Sequence, residues 1–125
     1  MKELTKAEEQ IMQIIWEEGE AFVKEMIPHF PDPKPAYNTV STIVRILEKK
    51  GFVGHKEFGK SHQYYPLVQK EDYREAVFAD LMKGYFNNSM KQVLSHFSNR
   101  ENMDIKEADD LIRMLEEIKN KPKKE

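Results

Sequence analysis

The segment from Ala36 to Pro66, AYNTVSTIVRILEKKGFVGHKEFGKSHQYYP, constrains this chain more than any other, because an amphipathic helix passes directly into a basic hairpin with a glycine at its tip. Val40, Ile43, Val44 and Leu47 recur at offsets of three and four residues, which puts them on one helical face and predicts their burial. The opposite face carries Asn38, Ser41, Thr42, Arg45 and Lys49, mostly short hydrogen-bonding side chains that let a helix approach the floor of a DNA major groove. Lys49 and Lys50 then set cations at the negative end of the helix dipole, and Gly51 suits the left-handed position that ends a helix. Phe52 to Phe58 and Gln63 to Leu67 read as two strands around a tip of Gly59, Lys60 and Ser61. Helix followed by hairpin is the order of a DNA-binding winged helix, with the tip placed to meet a phosphate.

Charge follows the same division. Lys34 to Tyr65 holds six cations against two anions, a local excess of +4 in a chain whose net charge is −2. Such segregation is the electrostatic footprint of a duplex-binding surface. Lys56 and Lys60 read as phosphate contacts, since flexible ammonium groups neutralise charge without fixing geometry. Thr39, Thr42 and Arg45 read as base or phosphate contacts, because threonine can touch a thymine methyl and arginine a guanine edge.

Upstream, Thr5 and Glu8 have the spacing of a capping box, and Ala7, Ile11, Ile14 and Ile15 predict the buried stripe of a first helix ending near Gly19, with Trp16 at the core edge. Phe22, Val23, Met26 and Ile27 predict a second short helix. Pro28, Pro31, Pro33 and Pro35 forbid regular helix after it and make a stiff connection. The expected fold is therefore mainly α with a small β-hairpin: a winged helix-turn-helix over residues 1–69, followed by a helical dimerisation domain over 70–125.

Three apolar stripes support that second domain. Tyr73, Val77, Phe78, Leu81, Met82, Tyr85 and Phe86 form the first, which Asn87 and Asn88 interrupt. Met90, Val93, Leu94 and Phe97 form the second, and Ile105, Ala108, Leu111, Ile112, Leu115 and Ile118 the third. About 50 residues bury too little surface to stand alone, so the stripes predict a homodimer, with Phe78, Leu81, Tyr85, Leu94, Leu111, Ile112, Leu115 and Ile118 at the interface. The methionines Met82, Met90, Met103 and Met114 read as adaptable packing. Two-fold symmetry would set two recognition helices about one DNA turn, roughly 34 Å, or a multiple of it apart and demand a palindromic operator.

Other functions find little support. No HExxH, GxSxG or phosphate-cradling glycine motif occurs, so no catalytic residue is assigned and an enzyme is not expected. The chain contains no cysteine, which removes thiolate chemistry. His55 and His62 stand on opposite arms of the hairpin, but two histidines without a third ligand read as polar wing residues; neither metal nor cofactor is expected. No apolar run approaches the roughly 18 residues of a membrane span, and the start MKELTKAEEQ has no apolar leader, so the expected location is the cytoplasm. An adaptor that binds another protein through its wing is the alternative from a different class, and the +4 segment argues against it.

NTVSTIVRILEKKGFV followed by YYPLV resembles the BlaI/MecI/CopY family of penicillinase-type repressors, and the resemblance extends over nearly the whole chain. It implies a winged helix joined to a helical dimerisation domain, repression of transcription at inverted repeats in double-stranded DNA, and relief by proteolysis in the pathway of a membrane sensor metalloprotease. By position, Thr39 and Thr42 match the two threonines of the family's recognition helix, and Lys49, Lys50 and Gly51 its basic end. Asn38 and Ser41 stand where the family often has a basic residue, and its usual arginine aligns with Ile46, one position after Arg45. The family's susceptible Asn-Phe bond aligns with His96 and Phe97, where phenylalanine is kept and asparagine is not. The absence of cysteine argues against the copper-responsive branch.

Overall fold

A computed structural model describes residues 3–99 and 104–122; Met103 lies outside them. The elements run α1 (Lys6–Glu18), β1 (Ala21–Phe22), α2 (Val23–Met26), a single 3₁₀ turn (Ile27–His29), α3 (Tyr37–Lys49), β2 (Val53–Phe58), β3 (Ser61–Pro66), α4 (Lys70–Tyr85), α5 (Met90–Ser98) and α6 (Ile105–Asn120). The chain is mainly α with one small antiparallel sheet in the order β1-β3-β2. It divides into two compact units, 1–79 and 80–125, so the first ten residues of α4 belong to the first unit although the sequence sets a boundary at 69.

The first unit is built on one apolar core. The capping box that starts α1 is complete: the Thr5 hydroxyl accepts from the Glu8 amide at 3.2 Å, and the Glu8 carboxylate accepts from the Thr5 amide at 2.8 Å. Ile11, Met12, Ile14 and Ile15 are buried as a helical stripe, whereas Ala7, expected with them, is exposed in the first turn of α1. Met26, Val40, Val44, Leu47, Phe52, Val53 and Tyr64 close the same core. Tyr73 of α4 joins it edge-on to Phe52 at 5.8 Å, and its hydroxyl accepts from the Leu4 amide at 3.1 Å.

The region after Gly19 departs from expectation. Ala21 and Phe22 pair with Tyr64 and Gln63 as a third strand, which shortens the second helix to Val23–Met26. The Glu25 carboxylate accepts from the Phe22 amide at 2.9 Å and fixes that change of direction, while Pro28 tightens the helix end into a 3₁₀ turn. Two residues are too short for a period-two pattern, so β1 leaves no signal in the sequence.

Trp16 closes the edge of the core and donates from Nε1 to the Val68 carbonyl at 2.8 Å, tying α1 to the chain that leaves the hairpin. Trp16→Phe keeps most of the ring packing and orphans that carbonyl. Stability is expected to fall by about 1 kcal/mol, read as a lower urea midpoint at unchanged slope.

In the second unit, Ser89 caps α5 by accepting from the Gln92 amide, and Asp104 caps α6 by accepting from the Glu107 amide. Asn87 and Asn88 adopt φ of 50° and 58°, the left-handed conformation asparagine tolerates, and separate α4 from α5. Among the described residues, no side chain of α5 or α6 is buried. Among the described residues, no helix is long and apolar enough to cross a membrane.

Candidate nucleic-acid interface

The buried stripe of α3 determines what its other face can do. With Val40, Val44 and Leu47 fully buried, Asn38, Thr39, Thr42, Arg45 and Lys49 are exposed, and Ser41 is half-buried at the margin. The Thr42 hydroxyl donates to the Asn38 carbonyl at 2.8 Å, which leaves its lone pairs and methyl group directed outward. Ile46 is 42% exposed and Tyr37 54% exposed on the same helix, so the surface is less polar than expected. Ile46 falls between Thr39 and Thr42 in the 3.6-residue period, so its place on this outward face is legible in the sequence. An aliphatic tip there suits a thymine methyl.

Gly51, at φ 84°, turns the chain out of α3, and Gly59, at φ 62°, turns the hairpin at its tip. The ladder pairs Gly54 with Tyr65, His55 with Tyr64, Lys56 with Gln63, Glu57 with His62 and Phe58 with Ser61. The second strand thus begins at Ser61, two residues earlier than expected, and the tip shrinks to Gly59 and Lys60. Because side chains alternate, His55, Glu57, His62 and Tyr64 share the face that meets α3, where Nδ1 of His55 contacts the Glu48 carboxylate. Gly54, Lys56, Tyr65 and Phe58 occupy the other face. A Cβ on Gly54 would lie 2.8 Å from the Tyr65 hydroxyl oxygen, so the missing side chain makes room for that ring.

The expected cations separate accordingly. Lys50 Nζ lies 2.7 Å from Oε1 of Glu8, a carboxylate only 4% exposed, across 42 residues of sequence. Lys56 Nζ lies 3.3 Å from Glu20 and 5.7 Å from the centre of the Tyr65 ring. Arg45, Lys49 and Lys60 have no ion-pair partner among the described residues. Lys34 donates to the Phe30 carbonyl at 2.8 Å and so braces the proline-rich connection ahead of α3.

Two titratable groups under this surface are displaced from their ordinary values. Burial pushes the Tyr64 phenol above its usual 10, the Glu48 carboxylate adds to that, and the Arg45 guanidinium opposes it. Tyr64 is therefore a neutral packing residue beneath α3. Burial works to raise the Glu8 carboxyl, yet the Lys50 ammonium and the Thr5 hydrogen bonds outweigh it and hold the group below its usual value.

The residues assigned to dimer contacts are exposed in the single chain. Phe78, Leu81, Tyr85, Ile112, Leu115 and Ile118 show large apolar surfaces, whereas Leu94 and Leu111 are half-buried. His96 and Phe97 stand in the last turn of α5, both exposed, with the His96 ring edge-on to Phe86 at 6.1 Å.

Known proteins are similar to this chain over most of its sequence. The chain is 25% identical over 122 residues to a penicillinase repressor of Bacillus licheniformis, covering 97% of this chain and 95% of that one. It is 26% identical over 114 residues to the methicillin resistance regulatory protein MecI of Staphylococcus epidermidis, covering 90% and 93% respectively. A solution structure of the DNA-binding domain of the repressor BlaI is similar at 27% identity and a TM-score of 0.49, covering 58% of this chain and 94% of that one. The penicillinase repressor family model matches residues 4–117, and the chain belongs to that family.

Proposed function

We propose that the chain is a transcriptional repressor that binds an inverted-repeat operator in double-stranded DNA as a homodimer. The observation that carries this reading is the exposed face of α3, where Asn38, Thr39, Thr42, Arg45, Ile46 and Lys49 stand clear of the core. Thr39, Thr42, Arg45 and Ile46 approach base edges, and Lys49 with the tip residue Lys60 meets phosphates. Lys50 and Lys56, held by Glu8 and Glu20, contribute to fold more than to contact. Membership of a family of penicillinase repressors supports the regulatory role.

The dimer forms through the apolar faces of the helices after residue 70, where Phe78, Leu81 and Tyr85 are exposed and no side chain of α5 or α6 is buried, which leaves that hydrophobic surface to a second copy. Relief of repression comes from cleavage at His96–Phe97, in response to a membrane-linked sensor protease. The bond lies where α5 ends and can fray into the extended form a protease requires.

Selection of bound genomic fragments, followed by titration of the best site at two salt concentrations, tests the reading. A palindrome bound by two copies, with affinity falling steeply as salt rises, is the expected outcome. Weak, salt-insensitive binding without an enriched sequence would favour the protein-binding adaptor. Arg45→Ala is expected to cost about 1–3 kcal/mol on the operator and much less on scrambled duplex if the guanidinium reads a base; equal losses on both would assign it to phosphate.

A further inference from the structure

The face of the hairpin that meets α3 gathers donors that the DNA-binding role does not use. His55 and Glu57 are two residues apart on β2 and so share a face, and His62 on β3 is the cross-strand partner of Glu57. One ligand atom from each, two imidazole nitrogens and a carboxylate oxygen, lies within 4.8 Å of the other two. Nε2 of His55 is 4.0 Å from Oε1 of Glu57, and the two imidazole rings stack with centroids 4.2 Å apart and planes 8° apart.

The partner of the remaining His55 nitrogen is what turns this cluster into a site. Nδ1 of His55 contacts the Glu48 carboxylate of α3, so a carboxylate stands behind the ring while Nε2 lies on the side of Glu57 and His62; a neutral ring in this pairing carries its proton on Nδ1 and offers the Nε2 lone pair to an ion. A carboxylate behind a histidine in this way is the usual outer shell of a zinc-bound imidazole, because it sets ring orientation and raises basicity. All of the side chains concerned are half-buried or exposed, so an ion can enter from solvent.

From this geometry we infer that His55, Glu57 and His62 form a binding site for a borderline divalent transition ion of the zinc class, with Glu48 as the positioning residue. Bonds of about 2.0–2.1 Å set tetrahedral donors about 3.4 Å apart, so atoms that lie within 4.8 Å of one another must draw together by at most about 1.4 Å, within the reach of wing side chains. Two imidazoles and one carboxylate leave a fourth position to water. The hard ions magnesium and calcium, which take oxygen donors, are excluded by the same donor set. The bound ion joins both arms of the wing and, through Glu48, the wing to α3. The inference stands apart from the DNA-binding reading, because metal binding is measured directly.

Zinc titration of the full chain by calorimetry, with cobalt absorption as a second probe, tests it. The expected result is one equivalent per chain at micromolar affinity, weakened at least about 10-fold by His62→Gln and by about 10-fold to 100-fold by Glu48→Gln, the range for loss of an outer-shell partner. Thermal melts without metal check that the variants fold. Nitrogen-15 spectra of the unmodified protein give a readout independent of any variant: zinc is expected to shift the Nε2 signal of His55 and a ring nitrogen of His62 while leaving His29 and His96 in place. Absence of saturable binding, unchanged affinity in His62→Gln, or shifts confined to His29 or His96 would overturn the site.

Discussion

The double substitution Leu111→Glu, Leu115→Glu is expected to halve the mass of the particle in sedimentation and to weaken operator binding by about 100-fold or more, since two linked recognition helices gain that much from effective concentration. The physical basis is the state of α6. Leu115 is more than half exposed in the single chain, as are Ile112 and Ile118 beside it, and Leu111 is half-buried, so two carboxylates there barely disturb an isolated protomer. Buried between two copies, each would have to shed its hydration, at a cost of several kcal/mol per ion. Circular dichroism should therefore stay helical while the mass falls. An unchanged mass would move the interface away from α6, and halved mass with intact operator affinity would remove the need for two copies.

Lys50→Met should produce the largest loss of stability of any single change at the proposed surface. It strands the Glu8 carboxylate, 4% exposed and 2.7 Å from the ammonium it would lose. Removing one member of a fully buried pair costs about 3–5 kcal/mol; with Lys50 about a quarter exposed, water can partly replace it, and about 2–3 kcal/mol is expected. The pH dependence gives the interaction its signature. Glu8 titrates below its usual 4.5 in the folded chain, so the stability it contributes is fully present above that value and is lost as the pH falls through the lowered one. In Lys50→Met burial acts on Glu8 without the ammonium, protonation relieves the strain, and the gap from the parent protein should narrow on acidification. A deficit that does not change with pH would mean that the lysine acts through packing of its methylene stem. Little loss of stability combined with a salt slope lower by about 1 would return Lys50 to the phosphate contacts.

Much of the protein is determined by patterns within a few residues of each other. The 3.6-residue recurrence of Val40, Val44 and Leu47 settles which side of α3 is buried, and so which side is offered outward. Thr5 with Glu8, Gly51 and Gly59 mark a helix start, a helix end and a hairpin tip through local geometry alone, and each stands where its chemistry requires. The apolar stripes beyond residue 79 are likewise visible before any contact is known.

Tertiary structure alone decided how the charges are used. Lys50 finds Glu8 across 42 residues, and Lys56 finds Glu20 across 36. A lysine's sequence neighbourhood says nothing about either partner, because ion pairing depends on which surfaces the core brings together. The same holds for His55, Glu57 and His62: only the strand register sets Glu57 opposite His62, and only the packing of α3 brings Glu48 behind His55. A shift of one residue in that register would turn the ligands to opposite faces. Local periodicity thus determined the elements and their outward faces, while long-range packing determined which of the outward groups remain available to a partner.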